Sequence, residues 1–227
     1  VTHELRTPLT SVRSFSEILY DTPELKTEER QRFLNIIIRE SERLTRLINQ
    51  VLDLTKIEAG RMDWHVGDVD LKAVIEDAVA TLDHRFKERA IRLEINIPVE
   101  TPIVRGDRDQ LMQVAINLLS NAEKFCRTEN GKVVVSVSTG PDVVTVNISD
   151  NGPGIAPNDQ AVIFEKFHRV SDGESGNPMG SGLGLAISRK IIEHFGGRIW
   201  VDSDLGRGAT FSFTIPRRPA KSARAAS

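Results

Sequence analysis

A single cysteine, Cys126, stands in the 227 residues. Its isolation excludes an internal disulfide and any zinc or iron–sulfur site built from several thiolates. Basic residues are not in excess: 30 Lys and Arg against 32 Asp and Glu leave a net charge of −2. That balance does not advertise nucleic acid or an anionic membrane surface as a partner. No apolar run approaches the roughly 18–20 residues of a membrane-spanning helix, and no signal-peptide pattern is present. What is there is the composition of a globular chain, 39% hydrophobic and 27% charged. Its length suits one large or two modest domains with a buried core. The sequence opens on Val1-Thr2-His3, inside a helical pattern, and reads as a fragment of something longer. A cytoplasmic location is expected, with any membrane anchor supplied by upstream segments.

Residues 1–60 are helical in pattern. Leu5, Leu9, Val12, Ser16 and Leu19 follow a 4-3-4-3 spacing, and Asp21-Thr22-Pro23 interrupts it. Thr27-Glu28-Glu29-Arg30 suits a capped restart. Phe33, Ile37, Glu40, Leu44, Leu47, Val51 and Leu54 then form a heptad seam with one polar slot at Glu40. Ile36, Ile48, Leu52 and Ile57 widen the stripe beyond what a two-helix hairpin covers, so a four-helix bundle made by two chains is expected. Gly60 closes the second helix. Residues 61–70 read as a linker.

Beyond the linker the texture changes. Asp70 is positioned to cap a helix over about 71–88, and alternating Ile91, Leu93, Ile95 and Ile97 suggest a strand. A helix follows at about 108–125. Val133, Val135 and Val137, then Val144, Val146 and Ile148, read as a hairpin turning at Gly140-Pro141-Asp142. After a glycine-rich stretch come a helix at about 183–195 and two strands near 198–203 and 209–215. The expected fold class is a helical hairpin followed by an α/β sandwich, with helices on one face of a mostly antiparallel sheet. The expected domains are residues 1–66, residues 67–217, and a tail over 218–227 whose small, basic, proline-containing composition suits disorder.

Four clusters carry chemistry, each of them weak alone. In His3-Glu4-Leu5-Arg6-Thr7-Pro8 a carboxylate follows an imidazole, and Thr7 lies one turn on along the same helix face. A histidine titrating near neutrality is a competent nucleophile when a carboxylate orients its ring. The second histidine of a zinc-protease HExxH is missing, and a lone histidine on a helix is usually a surface residue. Asn117, Asn121 and Lys124 share a helix face at i, i+4 and i+7, able to meet a metal–phosphate group or simply to be solvated. Asp150-Asn151-Gly152-Pro153-Gly154 ends a strand, where a carboxylate can accept from a base or sugar and glycines permit close approach. It lacks the third glycine of a dinucleotide fingerprint, since Pro157 stands there. Gly180-Ser181-Gly182-Leu183-Gly184-Leu185 opens a helix, and free N–H groups at such a terminus suit phosphate. No GxxxxGK[ST] is present, so this is not a P-loop.

In this order, the four clusters resemble the catalytic core of sensor histidine kinases of two-component systems, over about residues 1–217. VTHELRTPL is similar to that family's H box, NLLSNAEKF to its N box, DNGPGI to its G1 box, IFEKFHRV to its F box and GSGLGLAI to its G2 box. The resemblance implies a Bergerat-type ATP-binding fold, ATP and Mg²⁺ as cofactors, a homodimer, and a response-regulator receiver domain as partner. It implies phosphorylation of His3, activation by Glu4, and Mg²⁺ bound by Asn121 with Asn117 in support. Lys124 would contact phosphate, Phe125 would face adenine, and Asp150 would accept from the adenine amino group. Gly152 and Gly154 would permit that approach. Gly180, Gly182, Leu183 and Gly184 would form the phosphate turn, with Arg169 near the phosphates. A mobile lid would span about 156–181, with Phe164 and Phe167 packed at its start. Thr7 would serve dephosphorylation of the regulator, or only shape the helix before Pro8. ATPases of the same nucleotide fold carry a water-activating Glu where this chain has Asn117, which cannot act as a base. The alternatives to a kinase are a non-catalytic ATP-sensing dimerisation module and such an ATPase.

Overall fold

A computed structural model describes residues 2–168 and 181–217, without the side chains of Thr2 and His3. The expected tail and the polar lid stretch at 171–177 lie outside the described residues. Those described form two compact units, 2–62 with 181–183, and 63–168 with 184–217.

The first unit is a hairpin of α1 (Thr2–Asp21) and α2 (Thr27–Glu58), and α1 continues through Pro8. The cap expected at Thr27 is not made. Lys26 holds the N-cap position without a side-chain hydrogen bond. Glu28 and Glu29 in the first turn complement the helix dipole instead. Phe33 lies against Phe15 with ring centroids 5.3 Å apart, and Leu47 and Leu54 are buried. Phe33 of the heptad seam thus meets α1 of the same chain, while Ile37, Leu44 and Val51 are half-buried. The apolar surface left open is a different stripe, Leu34, Ile38, Ile48 and Leu52 on α2 with Leu9 and Ile18 on α1.

The second unit holds α3 (Leu71–Glu88), α4 (Arg108–Phe125), a short α5 (Pro157–Gln160) and α6 (Gly184–His194). Its strands are β1 (Gly67–Val69), β2 (Arg92–Asn96), β3 (Val104–Gly106), β4 (Lys132–Thr139), β5 (Val143–Asp150), β6 (Arg198–Asp204) and β7 (Gly208–Pro216). Five of them form one sheet in the order β2-β4-β5-β7-β6. Only the β2–β4 pair is parallel. Alternation along the strands sends Val133, Val135, Val137, Val144, Val146, Ile148, Phe213 and Ile215 into the core with α3, α4 and α6. The opposite face carries polar rows, such as Ser136, Asn147 and Ser212 in register. Asp70 caps α3 by accepting from the Ala73 N–H at 3.2 Å.

The linker reading of 61–70 needs correction. Residues 67–69 are β1, paired antiparallel with β3. Trp64 stacks on His194 with centroids 3.9 Å apart, and the His65 N–H donates to Asp107 at 2.8 Å. Asp107 is buried and also caps α4 through the N–H groups of Asp109 and Gln110. The segment after the hairpin is thus part of the α/β unit. Three-residue strands are too short to show an alternation signal.

Candidate active site

Asp150 is the last residue of β5, and its alternation places the side chain on the helix-covered face. One carboxylate oxygen accepts from the Gly152 N–H at 2.8 Å. Burial pushes the Asp150 carboxyl above the usual aspartate range, and the backbone N–H groups of Gly152 and Ala209 oppose that shift. Protein contacts leave acceptor capacity on the carboxylate for an exocyclic amine.

Gly152 lies directly against the end of α4. A Cβ there would stand 2.2 Å from the Phe125 carbonyl oxygen. Close approach, not a left-handed backbone, is what requires glycine at 152. Gly154 has φ of +75°, and a Cβ on it would meet the Asp204 carbonyl oxygen at 2.1 Å. The β6–β7 turn thus backs the Asp150 turn: the Gly206 N–H donates to the Pro153 carbonyl at 2.6 Å. Arg127 donates to the Gly206 carbonyl at 2.9 Å. Phe125 is 41% exposed, an open aromatic face beside this turn. The Lys124 ammonium sits 4.3 Å from the Phe125 ring centroid, a cation–π contact.

On α4, Asn121 lies one turn after Asn117, and both are half-buried. The Asn117 amide donates to Ser188 Oγ on α6 at 2.9 Å. A Cβ on Gly184 would stand 2.3 Å from Asn117 Oδ1. Gly184, expected only to shape the phosphate turn, also lets α6 begin against Asn117. In the other unit, Gly182 has φ of +66° and Leu183 is buried. The Leu183 N–H donates to Ser181 Oγ at 3.2 Å. Arg169 and Gly180 lie outside the described residues.

Part of the expected lid is packed. Residues 157–160 form α5, Ile163 is buried, and Phe164 meets Phe211 edge-on at 6.4 Å. Phe167 has a left-handed backbone, with φ of 62°. Ile163 and Phe164, within the start of the expected lid, pack against the α/β unit.

Two arrangements were not readable from the motifs. Ser188 is one. The other is buried Glu123, which accepts from Arg89 at 2.8 Å and from Arg85, tying α4 to α3. Burial pushes the neighbouring Cys126 thiol up, and its Sγ donates to the Glu123 carbonyl at 3.3 Å. It behaves as a packed thiol rather than a reactive thiolate.

In the first unit, His3, Glu4 and Thr7 all lie in the opening turns of α1. Glu4 is half-buried and Thr7 exposed. One chain thus carries a helical hairpin bearing His3, Glu4 and Thr7 and an α/β unit bearing Asp150, Asn117 and Asn121. The family comparisons agree in both parts. Residues 1–60 match the His Kinase A (phospho-acceptor) domain, and residues 106–219 match the histidine kinase-, DNA gyrase B- and HSP90-like ATPases. The chain belongs to the sensor histidine kinases, as part of their catalytic core.

It is 38% identical over 226 residues to drug sensory protein A of Synechocystis, covering 95% of this chain and 34% of that protein. It is 33% identical over 218 residues to the sensor histidine kinase WalK of Bacillus subtilis, covering 95% and 35%. The chain thus spans about a third of the length of these relatives. Among solved structures, the Acinetobacter baumannii histidine kinase AdeS superposes with a TM-score of 0.78 at 25% identity, covering 95% of this chain and 98% of that one. Full-length ShkA in complex with AMPPNP gives 0.73 at 30%, covering 96% and 45%. Histidine kinase ThkA in complex with the response regulator TrrA gives 0.77 at 28%, covering 97% and 61%.

Proposed function

We propose that this chain is an ATP-dependent protein-histidine kinase that phosphorylates His3 and passes the phosphoryl group to an aspartate of a response-regulator receiver domain. The observation that carries the reading is Asn117. Where ATPases of this fold need a base, the chain offers an amide already donating to Ser188. Such a site holds ATP without activating water and leaves the γ-phosphorus to an imidazole. The His3 ring nitrogen forms the new P–N bond as the bond to the leaving ADP oxygen breaks, and Glu4 accepts the ring proton. A receiver carboxylate then displaces the imidazole.

Asp150 accepts from the adenine amino group and Phe125 lies along the base. The N-terminus of α6 favours the phosphates. Among the described residues no group of three or more His, Cys, Asp or Glu can hold a metal ion. Mg²⁺ would arrive with the triphosphate, since that ion takes few protein ligands and keeps phosphate oxygens and waters. Asn121 would supply the amide oxygen, and the ion would neutralise phosphate charge. The open stripe of Leu34, Ile38, Ile48 and Leu52 supports a homodimer through the hairpins. Thr7, one turn from His3, orients water toward a docked aspartyl phosphate and gives regulator phosphatase activity. No helix among the described residues is long and apolar enough to cross a membrane.

The test is incubation with ATP labelled at the γ-phosphate, followed by addition of a receiver domain. Label on the chain that chases to the receiver supports the reading. Stoichiometric release of phosphate with no labelled protein contradicts it and favours the ATPase.

A further inference from the structure

We propose that Ser188 is a positioning residue for the nucleotide site: its buried hydroxyl fixes the Asn117 carboxamide so that Oδ1 faces the first turn of α6. The inference rests on the proposed nucleotide site and deepens it. Asn117 stands in α4 and Ser188 one turn into α6, and the pair joins the two helices at 2.9 Å. Ser188 is 2% exposed, so water does not replace it as acceptor for the amide. With Nδ2 engaged by Ser188, the amide plane is fixed, and Oδ1 is held against Gly184. A Cβ at 184 would come within 2.3 Å of that oxygen.

The three residues form one device. Gly184 makes room, Ser188 orients, and Asn117 presents an oxygen where α6 begins. An amide that rotates freely presents its NH₂ group to the same place half of the time, and an NH₂ group repels a hydrated cation. Ser188 therefore acts through Asn117 on the metal–phosphate end of the nucleotide and leaves the adenine end at Asp150 untouched. Loss of the hydroxyl should weaken Mg²⁺-dependent steps more than nucleotide binding itself.

The test is a double-mutant cycle on the full chain with Ser188→Ala, Asn117→Ala and both together. Ser188→Cys serves as a near-isosteric second variant and Ser188→Thr as the one that keeps the hydroxyl. Two quantities are read: kcat and KM for autophosphorylation, and the affinity for ADP with and without Mg²⁺. Ser188→Ala and Ser188→Cys should lower kcat about five- to tenfold, the scale of one buried hydrogen bond. KM for ATP should rise by no more than the factor by which Mg²⁺ raises ADP affinity in the wild type, Ser188→Thr should restore turnover, and Ser188→Ala should add nothing in the Asn117→Ala background. Equal losses in both backgrounds, or undiminished turnover in Ser188→Ala and Ser188→Cys, overturn the proposal. If the wild-type chain binds ADP but never becomes labelled, the kinase reading fails separately. Ser188 is then judged by whether Ser188→Ala abolishes the gain in ADP affinity that Mg²⁺ gives; an undiminished gain overturns it. A wild-type chain that binds no nucleotide overturns both.

Discussion

Replacing Gly152 with alanine puts one methyl group between the Asp150 turn and the end of α4. The new carbon would stand 2.2 Å from the Phe125 carbonyl oxygen and 2.8 Å from Asp150 Oδ1. Ordinary close C···O contacts are about 3.3 Å or longer, so roughly 1 Å must be recovered. The nearest obstacle is backbone, so rotation of a side chain does not relieve it. Overpacking of this kind costs about 1–3 kcal/mol. Reduced freedom of the unfolded chain returns about 0.4–1 kcal/mol, less than the clash. At about 2–4 °C per kcal/mol for a chain of this size, Tm should fall by a few degrees. The displacement falls on Asp150 and Phe125 together, so ADP affinity should drop about tenfold or more. Calorimetric titration and thermal melting read the two effects. Gly67→Ala is the control, because nothing lies within 4 Å of its Cβ position. Wild-type nucleotide affinity in Gly152→Ala, with Tm matching Gly67→Ala, would refute the packing argument and with it the placement of Asp150.

Asp150→Asn should move stability and binding in opposite directions. The raised folded-state pKa means that ionising Asp150 costs folding free energy, so its contribution to stability falls as pH rises from the unfolded toward the folded value. At neutral pH the Asn variant should melt higher than wild type yet bind ATP about 10–100-fold more weakly, and wild-type affinity should decline on acidification before an ordinary aspartate would titrate. A lower Tm with unchanged affinity would contradict this. Glu123→Ala breaks the bonds from Arg85 and Arg89. Both arginines are partly exposed, which reduces the loss to about 1–3 kcal/mol in urea unfolding; an unchanged midpoint would count against the clamp. Leu52→Asp on the open stripe should give monomers in sedimentation while the melting of the α/β unit is kept, and an intact dimer would place the interface elsewhere.

The elements most legible in the sequence were those with local signals. The helix over 108–125 and the hairpin turning at Gly140-Pro141-Asp142 stand where periodicity put them, because their apolar faces are complete over many residues. Asp70 caps its helix through a bond spanning three residues. What escaped was non-local. Asn117 and Ser188 are 71 residues apart, and Glu123 meets its arginines across 34 and 38, distances over which no periodicity speaks. The heptad seam from Phe33 to Leu54 was a true apolar pattern, but a pattern does not say which helix covers it. The structure sets Phe33 against Phe15 of the chain's own α1 and leaves Leu34, Ile38, Ile48 and Leu52 outward. The glycines at 152 and 184 were visible as motif positions. Their reasons, a carbonyl of Phe125 and an amide of Asn117, required the packing of α4.

The central claim is that His3 takes the γ-phosphoryl group of ATP. The most direct measurement is phosphopeptide mapping of the wild-type chain and of His3→Gln after incubation with labelled Mg·ATP, together with acid and base stability of the label. A single modified peptide bearing His3 is predicted, with label that survives base and is lost in acid, as a phosphoramidate must be. His3→Gln should carry no label and bind ADP as wild type does. Label that persists on His3→Gln, or that is lost in base and survives acid, would contradict the assignment.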